Sequence, residues 1–115
     1  VALIELSAEK LDDTDRVIDF GVVKEIVGGW VNEKWDHTAL LNSEDYSLYD
    51  FCMHEVMTGG KRPPYTFDKQ EPTAEVIARE LFEVSVSLLM DHGVKVVSVT
   101  VFETPNCSAR FGMKP

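Results

Sequence analysis

The sequence predicts an α+β domain, and three observations carry that prediction. Two segments place apolar residues on a helical period. β-branched runs precede the first of them and follow the second, and no internal repeat or low-complexity stretch interrupts the order. Residues 1–6 (VALIEL) are apolar but for Glu5 and read as a strand. Residues 9–16 are polar and acidic and read as a connection. Val17-Ile18-Asp19-Phe20 then leads into the first helix, where Asp19 is placed to accept a free N–H of the first turn. Val22, Val23, Ile26, Val27, Trp30 and Val31 form its apolar stripe. Gly28-Gly29 inside that stripe costs about 1 kcal/mol per glycine relative to alanine, and such a pair implies that something packs closely there.

Residues 38–71 are the least regular. Within them 43–56 predicts a short helix, with Leu48, Phe51, Cys52 and Val56 roughly aligned. Residues 58–64 (TGGKRPP) read as a loop, because glycine and consecutive prolines interrupt both regular structures. A second long helix begins near Pro72, with Thr73 or Glu71 at its start and Glu75 supplying the acidic first turn that suits the helix dipole. Ile77, Leu81, Val84 and Leu88 make one buried row; Ala78, Phe82, Ser85 and Leu89 make the adjacent one. The helix is expected to stop around His92-Gly93. Residues 94–102 read as a strand with Val97, Val99 and Val101 on one face, and 107–111 as its partner, joined through Thr104-Pro105-Asn106.

Composition narrows the function classes. The 115 residues are one domain's worth. Twenty acidic against 11 basic side chains, net −9, leave no basic stripe for a nucleic-acid backbone. No apolar run approaches the roughly 18–20 residues of a bilayer span, and the opening residues do not read as a signal peptide. Two cysteines, Cys52 and Cys107, are too few for a disulfide framework, so a reducing, cytoplasmic setting is expected and both read as small core residues.

Two places carry candidate chemistry. Asp36-His37 follows the first helix; an Asp–His pair holds imidazole in one tautomer and favours its protonated form, which suits proton transfer. Asp36 serves equally well as a simple helix end. Glu103 closes an otherwise apolar strand, and its two coplanar oxygens can grip paired N–H donors. A solvated strand end is the alternative. Thr73 and Glu75, taken alone, are capping residues. His37, His54 and His92 stand in no HxH, HxxxH or CxxC pattern, so no metal site is read from this sequence.

Four motifs in order then carry a resemblance: Val17-Ile18-Asp19-Phe20 opening a helix, Asp36-His37 followed by Leu40-Leu41-Asn42, Pro72-Thr73-Ala74-Glu75 opening the second helix, and Val101-Phe102-Glu103-Thr104-Pro105 closing a strand. Together they resemble the 6-pyruvoyl-tetrahydropterin synthase and 6-carboxytetrahydropterin synthase family over nearly the whole chain, apart from a longer 43–71 region within the single domain. The resemblance implies the tunnelling fold: a four-stranded antiparallel sheet with two helices on one face, in subunits that assemble as a homo-hexamer of two trimers. It implies that Asp36 and His37 are the catalytic pair, that Glu103 anchors a pterin ring, that Thr73 and Glu75 lie near the pterin pocket, and that Thr104 adds a hydrogen bond there. It implies a pterin triphosphate substrate, 7,8-dihydroneopterin triphosphate. Such a polyanion needs local positive charge on a chain of net charge −9; Lys61-Arg62 and Arg110 are the candidates, with a solvated loop the preferred explanation of Lys61-Arg62.

The resemblance also implies zinc, held by three histidines, and a catalytic cysteine or glutamate, in a region ending in an HGHNY-like motif. Residues 1–6 match the strand after that motif, so the preceding strand and the zinc ligands are expected upstream of Val1. Either the sequence is a fragment of an active enzyme or it is a natural truncation. The Pro72-Thr73-Ala74-Glu75 motif is closer to the 6-carboxytetrahydropterin type; the 6-pyruvoyl type and a non-catalytic pterin-binding subunit are the rivals.

Overall fold

A computed structural model describes residues 1–8, 11, 17–59 and 62–113 of the chain. In order it has β1 (Ala2–Ser7), α1 (Phe20–Val23), a π-helical stretch (Lys24–Gly28), α2 (Gly29–Lys34), β2 (Leu40–Asn42), α3 (Tyr46–Gly59), β3 (Tyr65–Phe67), α4 (Ala74–Leu89), a 3-10 turn (Met90–His92), β4 (Lys95–Thr104) and β5 (Cys107–Gly112). The expected acidic connection at 9–16 falls almost wholly outside the described residues, as does Lys61. Two compact units divide the chain: one from Val1–Gly29 with Thr73–Pro115, the other Trp30–Pro72.

In the first unit β4 is the central strand of an antiparallel sheet ordered β1-β4-β5. Helix α4 packs on β4 and β5, and the π-helical stretch packs against α4. The core they share is narrow: Ala74, Ala78, Leu81, Ser85 and Leu89 of α4, Val96 and Val99 of β4 and Ala109 of β5 are all buried. Alanine and serine at the contact bring the helix axis close to the sheet, and Phe82 closes one side on Phe111 with ring centroids 5.2 Å apart. This is the α+β arrangement, an antiparallel sheet with packed helices, that the tunnelling-fold resemblance implied.

Both helix starts are the expected ones. Asp19 accepts from Gly21 N at 2.8 Å, and Thr73 Oγ1 accepts from Val76 N at 3.2 Å, so Thr73 rather than Glu71 is the N-cap. The far end of α4 tightens into the 3-10 turn and stops at Gly93, whose φ of 70° is the left-handed conformation glycine adopts without penalty. The Gly28-Gly29 pair departs from expectation. Nothing lies within 4 Å of a Cβ at Gly29, and the nearest atom to one at Gly28 is Lys24 Cγ at 3.9 Å. The pair marks the end of the π-helical stretch instead of a close contact.

The single-face reading of Val97, Val99 and Val101 also needs correction. Glu5 pairs with Ser98 and Leu6 with Val96, so Val97 is an extra residue that shifts the phase of burial along β4. Gly112 lies directly across this irregularity. A Cβ there would fall 2.7 Å from Ser98 Cα and meet the Val97 carbonyl oxygen, both backbone atoms. Gly112→Ala should therefore destabilise the protein by about 1–3 kcal/mol, the usual cost of overpacking, read as a lower midpoint in urea unfolding with an unchanged slope.

In the second unit β2 and β3 pair in parallel, Leu40 with Tyr65 and Asn42 with Phe67. Neither strand was evident from the sequence. The unit is held by an aromatic cluster in which the Trp35 ring lies 5.0 Å from Trp30, 5.8 Å from Tyr65 and 6.3 Å from Phe67. Helix α3 lies three residues later than expected and runs into the segment read as a loop. None of its residues is buried, and Leu48 and Phe51 of its expected apolar row are exposed.

Candidate functional site

Asp36 and His37 follow α2 in a tight turn built by backbone bonds. Val31 O accepts from both Trp35 N (2.8 Å) and Asp36 N (3.0 Å), and Thr38 N closes the turn on Trp35 O (3.2 Å). His37 occupies it at φ 53°, a left-handed conformation that costs a non-glycine residue about 1 kcal/mol. Its Nε2 lies 3.6 Å from Asp36 Oδ2, with the two side chains 89% and 55% exposed. An ion pair so exposed adds little to stability. The fold therefore spends backbone strain on a side chain it does not use for packing. That combination is a reason to look for chemistry at His37.

Arg62 fixes this turn. Its guanidinium donates to Asn32 O and Asp36 O at 2.9 Å each and also to Glu33 O, covering carbonyls that α2 leaves open at its C-terminal end. Neither reading of Arg62, a solvated loop residue or a triphosphate contact, includes this role: its guanidinium bonds to the backbone. Thr38 Oγ1 donates to Asp36 O as well, at 3.1 Å. So the Asp36 carbonyl, and not its carboxylate, completes the helix end, and the carboxylate is left for His37. Arg62→Ala should cost about 1–3 kcal/mol, in the range for hydrogen bonds to a charged group, and should lower the thermal midpoint. Arg62→Lys should recover only part of the loss, since one ammonium cannot span three fanned carbonyls.

His37 opens on a depression of about 590 Å³ whose walls include Thr38, Phe51, Cys52, Glu55 and Arg62. Three of these, Phe51, Cys52 and Glu55, come from α3 and were not picked out as site residues. The three- and four-residue steps from 52 and 51 to 55 were the available signal, but Cys52 read as core. It is half-buried, and Cys107 is exposed, so neither cysteine is a core residue.

The other candidates lie in the first unit. β4 and β5 pair Phe102 with Ser108 and Thr104 with Cys107, which leaves Glu103 as the unpaired residue of a bulge. Bulges re-aim a side chain and commonly sit beside binding sites. Glu103 lines a depression of about 360 Å³ with Val1, Leu3, Phe102, Thr104 and Pro105, mostly apolar walls around one carboxylate. Both depressions are of small-molecule size, about 300–1,000 Å³ being typical. Thr104 Oγ1 accepts from Asn106 N at 3.3 Å and keeps its own hydroxyl proton to donate. Thr73 caps α4 and Glu75 stands exposed in the first turn; neither lines these two depressions. Arg110 is exposed on β5. Asp36 and His37 thus come together in one unit, and Glu103 and Thr104 in the other.

Among the described residues no group of three or more His, Cys, Asp or Glu side chains is placed to hold a metal ion. The described residues do not make a site for the zinc that the resemblance implies.

The chain is 35% identical to a 6-carboxy-5,6,7,8-tetrahydropterin synthase of Rickettsia bellii over 105 residues, 90% of this chain and 72% of that protein. The protein of the same name from Rickettsia conorii is 34% identical over the same shares. An uncharacterized protein of Wolinella succinogenes, solved by crystallography, superposes with a TM-score of 0.76 over 98% of this chain and 76% of its own, at 22% identity, which shows a shared fold. A family model described as 6-pyruvoyl tetrahydropterin synthase matches residues 1–114, and the chain belongs to that family.

Proposed function

We propose that the chain serves a lyase that converts 7,8-dihydroneopterin triphosphate and one water to 6-carboxy-5,6,7,8-tetrahydropterin, acetaldehyde and triphosphate. The observation that carries this reading is Glu103, turned out of the strand pairing at a bulge into an apolar-walled depression, in a chain 35% identical to a protein of that activity's name. A pterin presents a 2-amino group beside a ring N–H. A carboxylate accepts both in parallel and fixes the ring's orientation. Thr104, with its free hydroxyl proton, donates to a ring acceptor.

Asp36 and His37 supply proton transfer to the side chain of the pterin. Asp36 Oδ2 orients the imidazole from 3.6 Å, and the strained turn presents the ring to solvent and substrate. Removing a proton beside a hydroxyl-bearing carbon and returning one to the ring is work for a group that both accepts and donates. The reading includes assembly with further copies of the chain as a hexamer, and exposed apolar side chains such as Leu3 and Phe51 support association. It also includes a cytoplasmic setting; among the described residues no helix is long and apolar enough to cross a membrane.

The test is product identification. Incubation of the protein with 7,8-dihydroneopterin triphosphate should yield acetaldehyde and 6-carboxytetrahydropterin by mass spectrometry. Accumulation of 6-pyruvoyl-tetrahydropterin without acetaldehyde would replace this reaction with the triphosphate elimination.

A further inference from the structure

The depression at His37 has an uneven chemistry. Glu55 on α3 is half-buried, and among the described residues its carboxylate has no hydrogen-bond or ion-pair partner. Partial burial without a partner is unfavourable for a carboxylate, and it retains its full acceptor capacity for whatever enters. Thr38 has already given its proton to Asp36 O, so its oxygen faces the depression as an acceptor too. Among the described residues Arg62 is the lysine or arginine of the lining, and its guanidinium donates to the carbonyls of Asn32, Glu33 and Asp36. Phosphate recognition needs free donors and positive charge. Here Glu55 offsets the charge of the Arg62 guanidinium, and with Thr38 it offers acceptors where a phosphate would need donors.

Resting on the proposed reading that a pterin side chain reaches His37, we propose that Glu55 is a specificity residue. It makes this depression a subsite for the neutral, hydroxyl-bearing carbons of the substrate and excludes its phosphate end. A carboxylate accepts hydroxyl protons from such a chain beside the imidazole. The same carboxylate repels a polyphosphate, by a factor of about five for each like charge held roughly 8 Å away in a half-exposed site. The triphosphate therefore leaves the depression, and the reacting carbons stay within reach of His37.

The proposal is tested by binding, without turnover. The protein and its Glu55→Gln and Glu55→Asp variants are titrated by calorimetry with inorganic tripolyphosphate and, separately, with unphosphorylated 7,8-dihydroneopterin. Glu55→Gln should bind tripolyphosphate about fivefold or more tighter and dihydroneopterin more weakly, while Glu55→Asp, which keeps the charge, should follow the unsubstituted protein. Unchanged tripolyphosphate affinity in Glu55→Gln overturns the proposal, as does a shift of both ligands in one direction or an aspartate variant that behaves like the glutamine one. A protein that passes these titrations yet releases no acetaldehyde would refute the lyase reading and leave the subsite standing.

Discussion

Glu103→Gln should raise the dissociation constant for 7,8-dihydroneopterin by about a hundredfold or more. The expectation follows from what the substitution changes and what it leaves. Glutamine has the same shape but offers one acceptor and one donor where the ring presents two donors. One hydrogen bond is lost outright, the other loses its charge assistance, and an amide N–H is pushed against a ring N–H. Hydrogen bonds to a charged group contribute roughly 1.5–3 kcal/mol each, so losing or inverting two costs about 3 kcal/mol or more, which is two decades in affinity. The protein itself should not notice. Glu103 is exposed and is the one unpaired residue of a bulge within the β4–β5 pairing, so the thermal midpoint should stay where it was. Titration by pterin fluorescence, with melting curves on the same samples, measures both. An affinity within threefold of the unsubstituted protein would remove Glu103 as the anchor.

The bulge at Glu103 also shows how far the sequence is legible. That residue was evident as a carboxylate closing an apolar strand, but its re-aiming was not. A bulge is set by the register of two strands distant in sequence, and period-two alternation in one of them cannot report it. The phase shift at Val97 was hidden for the same reason. Local features were legible: Asp19 and Thr73 cap their helices because a short polar side chain before an apolar period satisfies its own neighbours, and Gly93 ends α4 because only its backbone turns there freely. The second unit was the least legible. β2 and β3 are three residues each, and their parallel pairing joins segments 25 positions apart at Leu40 and Tyr65. Tryptophan and tyrosine supply the packing there, in a region whose glycine and proline content suggested only a loop. Asp36-His37 was visible as a pair; that Arg62 secures its turn from the far side of α3 was not, because an arginine beside another cation reads first as a solvated or anion-binding loop.

His37→Ala should lower kcat by about two to four decades, the usual contribution of a positioned acid–base group, with a much smaller effect on pterin affinity, since the ring is held at Glu103. Asp36→Asn should lower it less, because an amide of the same shape can still orient the imidazole. A second substitution separates chemistry from packing. His37 holds φ 53° with its side chain almost wholly exposed. Glycine adopts that backbone freely, so His37→Gly should raise stability slightly, by about 0.5–1 kcal/mol after the added entropy of the unfolded chain is counted against the relieved strain. A residue kept for folding would lose stability on removal. One kept for proton transfer should lose turnover and gain stability at once. Single-turnover rates and urea unfolding on the same preparation decide between them: turnover within threefold of the unsubstituted protein would show that His37 moves no proton in the reaction, whatever the melting curve does.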